Sequence, residues 1–176
     1  MASDSQKPAE REVVSGCVII CDFESIAGQR SLKDLGKLIG RYYSVVAEAV
    51  LASDGDISEF CGPKIVIRYG AFKEVPIAEA VAAADALRQE LTRLESELEV
   101  RIGFGVCRGP VLLGRFGSAS RATFSAIGPP IICSEQIASS GSAFGICQSL
   151  AEQIPRAECL KNEVSVHPRW SPPGRR

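Results

Sequence analysis

Residues 101–128, RIGFGVCRGPVLLGRFGSASRATFSAIG, constrain the fold more than any other part of the chain. From Ile102 to Cys107, larger apolar residues alternate with glycine, as expected of a strand packed on one face. Arg108-Gly109 reads as a turn, so residues 99–107 and 110–113 form an expected hairpin. Residues 121–127 read as another strand, bearing Arg121 and closing on Ile127-Gly128.

The remaining elements follow from periodicity. Residues 13–22 are a near-continuous Val/Ile run, the pattern of a central strand. Residues 32–51 carry Leu35, Leu38, Ile39, Tyr42, Val46 and Val50 at helical spacing, and Ser53-Asp54-Gly55 ends that helix as a turn. Residues 56–60 and 64–69 are two short strands about Cys61-Gly62-Pro63, the second rich in β-branched residues. Residues 76–98 form a second long helix, with Pro76 near its first turn and Glu90, Arg93 and Glu97 on its wet side. Pro129-Pro130 opens a short helix to about Ser139, and residues 143–147 give a last strand. This order predicts an α+β, ferredoxin-like plan: an antiparallel sheet with both long helices on one face. One domain spans residues 13–166. Residues 1–12 are expected to be a disordered N-terminal arm, and residues 167–176 a flexible C-terminal tail.

Composition excludes several classes. The 20 basic and 21 acidic residues leave no positive excess to draw nucleic acid or a membrane surface. The apolar runs are too short to span a bilayer. The polar start, MASDSQKPAERE, has no apolar core of a secretion signal, so a cytoplasmic protein is expected. Seven cysteines occur with no CxxC and a single histidine, His167, which offers no zinc ligand set. Cys17 and Cys21 lie about 13 Å apart along the expected strand, too far for one bridge. Buried free thiols in a reducing compartment are therefore the expectation.

Several segments together resemble the class III adenylate and guanylate cyclase homology domain. Ile20-Cys21-Asp22-Phe23-Glu24-Ser25-Ile26-Ala27-Gly28 is similar to that family's first strand, its closing Asp and the loop after it. Gly40-Arg41-Tyr42-Tyr43 resembles its aromatic pair, residues 55–62 the hairpin before its second metal Asp, and residues 112–128 its loop and strand ending in Ile-Gly. The resemblance covers roughly residues 13–144.

The resemblance implies a reaction and the groups it needs. A ribose 3′-oxygen attacks the α-phosphorus of ATP or GTP, and two metal ions held by two carboxylates assist. Asp22 stands at the first carboxylate position. Pro63 stands at the second and offers no ligand, and Lys64 beside it adds positive charge. The family's base-reading Lys and Asp positions fall on Glu59 and Thr123. Its ribose-orienting Asn and its transition-state Arg fall on Ile132 and Gln136, which cannot do that work. Asp22 alone keeps the family's residue type, so the sequence points to the fold without the activity. Neither half-set of a site shared by two unlike chains is retained.

Other candidates carry blander alternatives. Asp22 is read as a relic metal position or, more simply, as a cap on the following loop through its backbone amides. Ser25 and Gly28 are candidate phosphate contacts through backbone amides. Arg121 is a third, with Arg108 and Arg115 as a basic rim or as ordinary surface charge. Phe116, in residues 112–118, is either a dimer contact, as the resemblance suggests, or a tucked core residue.

The expected function is a non-catalytic cyclase-homology protein, a pseudoenzyme acting as a dimerising regulatory or binding module in signalling. It would act as a homodimer or on a regulatory protein partner, with no nucleic acid and no membrane. It would need no cofactor and no metal. The alternatives are a divergent nucleotidyl cyclase, which would need Mg or Mn, and a nucleotide-sensing module without turnover.

Overall fold

The computed structural model describes residues 8–118, 120–153 and 165–168. The elements run β1 (Ala9–Ile20), α1 (Phe23–Gln29), α2 (Leu32–Ala52), β2 (Asp56–Cys61), β3 (Lys64–Tyr69), α3 (Ile77–Leu98), β4 (Ile102–Gly117), β5 (Ala122–Ile127), α4 (Pro129–Ala138), β6 (Phe144–Cys147), α5 (Gln148–Ala151) and β7 (Ser165–His167). They build one α+β sheet in the order β2-β3-β1-β4-β6-β7, with β5 paired to the far end of β4.

The two long helices share one face, as expected. Strand alternation sends Val14, Val18 and Ile20 of β1 and Ile102, Phe104 and Val106 of β4 into the same core as Leu38, Tyr42, Val46 and Val50 of α2 and Leu87, Leu91 and Leu94 of α3. Arg41 of α2 clamps Glu97 of α3 through two hydrogen bonds, at 2.7 and 3.0 Å.

The short helix α4 takes the opposite face. A Cβ on Gly103 or Gly105 of β4 would collide with the α4 backbone at Ala138 and Ser134. Glycine at alternate positions of β4 therefore lets α4 sit directly on the sheet. From the neighbouring strand, Ser15 Oγ meets Ser134 Oγ at 3.3 Å.

Several expectations are corrected. Residues 102–117 are one continuous strand and not a hairpin turning at Arg108-Gly109. Val13 and Val14 of β1 pair with Gly109 and Arg108 in an unbroken antiparallel ladder. A Cβ on Gly109 would stand 3.5 Å from the Pro130 ring of α4, an ordinary contact, so neither a turn nor a close approach requires glycine there. The real turn follows Gly117, whose φ of 135° favours glycine. The sheet is mixed rather than purely antiparallel: after the α4 crossover, β6 pairs with β4 in parallel, and β7 pairs with β6 likewise.

The ends also differ. β1 starts at Ala9, so residues 9–12 of the expected disordered arm are strand, paired with residues 110–113 of β4. His167, assigned to the C-terminal tail, ends β7. Residues 1–7 and 169–176 of these two expected segments lie outside the described residues. Among the described residues no helix is long and apolar enough to cross a membrane.

Candidate functional site

Antiparallel pairing brings Asp22 and Pro63 to the same end of the sheet. β1 runs out beside the β2–β3 turn, and Ile20 N–H donates to the Pro63 carbonyl at 3.0 Å. Gly62, at φ 56°, makes that turn possible. Two tyrosines of α2 hold it from the other side: Tyr43 donates to the Gly62 carbonyl at 2.8 Å, and buried Tyr42 to the Pro63 carbonyl at 3.2 Å. The turn is thus built rigidly, and its side chain at the key position is a proline ring.

Asp22 adopts a left-handed conformation, φ 53° and ψ 28°, just before α1. Its carboxylate makes no cap to the α1 backbone, contrary to the capping expectation. It accepts instead from Arg101 Nη2 at 2.6 Å, with both side chains about two-thirds exposed. The hydrogen bond to Asp22 and its charge raise the Arg101 pKa further. Arg101 immediately precedes β4, whose Ile102 lies opposite Ile20, and this register delivers the guanidinium.

The next cation is also committed. Lys64 Nζ sits 3.1 Å from Glu135 Oε1 of α4. Desolvation pulls the Lys64 pKa down, but the bond and charge of Glu135, with help from Glu59, outweigh it and hold the ammonium charged. A cation pair thus does not fit here. The first carboxylate is neutralised by a guanidinium, the second is absent, and an ammonium stands beside the gap. Among the described residues, no group of three or more His, Cys, Asp or Glu side chains is arranged to hold a metal.

The remaining expected positions are dispersed. Glu59 is exposed on β2 opposite Val66, after a bulge. Thr123 is exposed on β5 opposite Phe116. Ile132, 47% exposed, and Gln136 are one helical turn apart on the outward side of α4, while Cys133, Ser134, Ile137 and Ala138 are buried. Ser25 and Gly28 lie inside α1 and not in a loop, so the expected phosphate cradle is absent there, and Ser25 Oγ accepts from Gln29 at 3.1 Å. Arg121 is exposed at the β4–β5 turn, where its N–H donates to Ser118 Oγ. Arg108 is no part of a rim with Arg115. Seven residues of one strand separate them by roughly 23 Å, and Arg108 bonds Gln153 at 2.5 Å and pairs with Glu12 at 3.5 Å. Phe116 is half-buried.

Four groups that sequence reasoning missed matter to this face. Arg101 and Glu135 are the partners of Asp22 and Lys64. Buried Arg68 of β3 is paired with Asp56 of β2, through Nε at 2.9 Å and through Nη2. Cys107 and Cys133 form a disulfide, with Cα atoms 6.3 Å apart, which corrects the expectation of free thiols throughout. These partners lie 12 to 79 residues apart in sequence, and only the fold brings them together. Two cavities, of about 610 and 350 Å3, lie at other places, the first against the β3–α3 connection and the second between β4 and α4. Neither is lined by Asp22, Pro63, Ile132 or Gln136.

No protein-family model matches the chain. An uncharacterized protein of Mycobacterium tuberculosis is 30% identical over 125 residues, 69% of this chain and 23% of that protein. Adenylate cyclase 1 of Rhizobium meliloti is 26% identical over 171 residues, 90% of this chain and 25% of that enzyme. The chain thus spans about a quarter of the length of these curated relatives. Among solved structures, the adenylyl cyclase CyaB from P. aeruginosa superposes with a TM-score of 0.73 at 17% identity, covering 84% of each chain. The guanylyl cyclase Cya2 superposes at 0.68 with 20% identity, over 75% of this chain and 71% of that one. The fold is that of the class III nucleotidyl cyclase domain.

Proposed function

We propose that this chain, with the fold of adenylyl and guanylyl cyclase domains, is a non-catalytic version that works as a dimerising regulatory module. The observation that carries the reading is the occupied end of the sheet: Asp22 bound to Arg101, Pro63 in place of a second carboxylate, and Lys64 bound to Glu135. Cyclisation without a transition-state donor is slowed by a factor of about 10²–10³ for each donor lost. Here Ile132 and Gln136 replace two such groups as well.

The β4–β5 hairpin supplies the surface for pairing. Leu112 and Ile127 are directly opposite each other and 43% and 55% exposed. Strand alternation puts Phe116 and Thr123 on the same side, four residue pairs further out. An apolar strip on a projecting hairpin suits a two-fold contact between identical chains. Incubation with ATP or GTP and Mn²⁺ tests the absence of turnover, and light scattering tests the pairing.

A further inference from the structure

We propose that Cys107, Cys133 and Cys147 form a thiol–disulfide exchange site, in which one disulfide moves between two partners and repositions α4. The three sulfur-bearing residues are brought together by sheet register and helix packing. β4 and β6 pair in parallel with Val106 opposite Ile146, so Cys107 and Cys147 are the next neighbours on the two strands. Adjacent strands lie about 4.8 Å apart. Alternation points both cysteines to the α4 side, as it does Gly105 and Gly145, whose missing Cβ atoms face Ser134 and Ile137 of α4. Cys133 lies on α4 above them. All three line one cleft of about 350 Å3, together with Arg108 and Ser149.

The site differs from the other cysteines. Cys17, on the same face of β1, has its thiol pushed up to about 12, mainly by burial, and stays protonated and inert. Cys147 is also a buried free thiol, but unlike Cys17 it lines the cleft beside Cys107 and Cys133, and its Sγ lies 3.2 Å from Ser149 Oγ. The exchange step balances without an oxidant. Cys147 loses its proton to solvent, and its thiolate attacks Cys133 Sγ. A Cys133–Cys147 bond forms, the Cys107–Cys133 bond breaks, and Cys107 leaves as the thiolate and takes up a proton. Cys133 precedes Glu135 on the same helix, and β6 lies on the side of β4 away from β3, so the move draws Glu135 away from Lys64 of β3.

Acid-quenched mapping of the full chain tests this, with free thiols blocked by N-ethylmaleimide before digestion and mass spectrometry. In wild type equilibrated near pH 8, one disulfide per chain is expected, found as both Cys107–Cys133 and Cys133–Cys147. Cys107→Ser treated with oxidised glutathione should yield Cys133–Cys147, and Cys147→Ser should show Cys107–Cys133 alone. The proposal is overturned by wild type in which Cys147 is always blocked, or by wild type with no disulfide after the same oxidation. Cys107→Ser that folds but leaves Cys133 free, or capped by glutathione, also overturns it. If Cys107→Ser does not fold, the wild-type map decides alone.

Discussion

Arg101 Nη2 and Asp22 Oδ2 meet at 2.6 Å, where the end of β1 lies beside the start of β4. A carboxylate held this way is already neutralised, and a lone carboxylate binds a hard divalent cation poorly. The pair is exposed, so its contribution to stability is small. Asp22→Ala should melt at the wild-type temperature, and millimolar Mn²⁺ should leave both melting curves in place. A Mn²⁺-dependent rise in melting temperature that vanishes in Asp22→Ala would mean that a working cation site survives.

Packing of α4 on the sheet depends on Gly105. A methyl group there would meet the Ser134 carbonyl and the Ala138 amide. Gly105→Ala should cost about 1–3 kcal/mol, as overpacking does. Urea unfolding followed by circular dichroism gives that difference directly. A variant as stable as wild type would mean that α4 is not seated as described.

Alkaline pH should loosen the fold in a defined window. Burial, then the charge of Glu135, raises the Cys17 thiol from 9.0 to about 12. A group whose pKa is raised on folding contributes its stability fully below the unfolded value, near pH 9, and loses it as pH climbs toward 12. Buried Tyr42 and Tyr69 are shifted upward as well, chiefly by desolvation, and act with the same sign above pH 10. Unfolding free energy should therefore fall with pH from about 9 upward. Cys17→Ala should flatten the slope by up to about 1.4 kcal/mol per pH unit, the value of one proton. An unchanged slope would mean that Cys17 is not buried.

Much of the fold is legible in the sequence because its signals are local. The stripe ending in Tyr42, Val46 and Val50 marks α2, and the alternation of Ile102, Phe104 and Val106 marks the inner half of β4. Arg108-Gly109 misleads because a glycine inside a long, unbroken strand looks the same in sequence as a glycine demanded by a turn. The site is legible only by subtraction. Pro63, Ile132 and Gln136 show what is missing, but the partners that fill the space, Arg101 and Glu135, lie 79 residues from Asp22 and 71 from Lys64. Long-range pairing of that kind leaves no periodic trace.

The hairpin strip gives a prediction about assembly. Phe116→Asp should place a charge in a desolvated contact and shift a dimer toward monomer. A real interface should bury at least about 1,000 Å2. Light scattering at micromolar concentration decides it. A wild-type mass equal to the 18.8 kDa chain contradicts the dimer. A dimer that Phe116→Asp leaves intact contradicts the placement on this hairpin.

The most direct measurement is product formation. Purified chain is incubated with ATP or GTP and Mn²⁺, and cyclic nucleotide is measured against a no-protein control and against Asp22→Ala. With Pro63, Ile132 and Gln136 at the chemical positions and Arg101 on Asp22, the wild type should match both controls. Cyclic product well above background, lost in Asp22→Ala, would contradict a non-catalytic role.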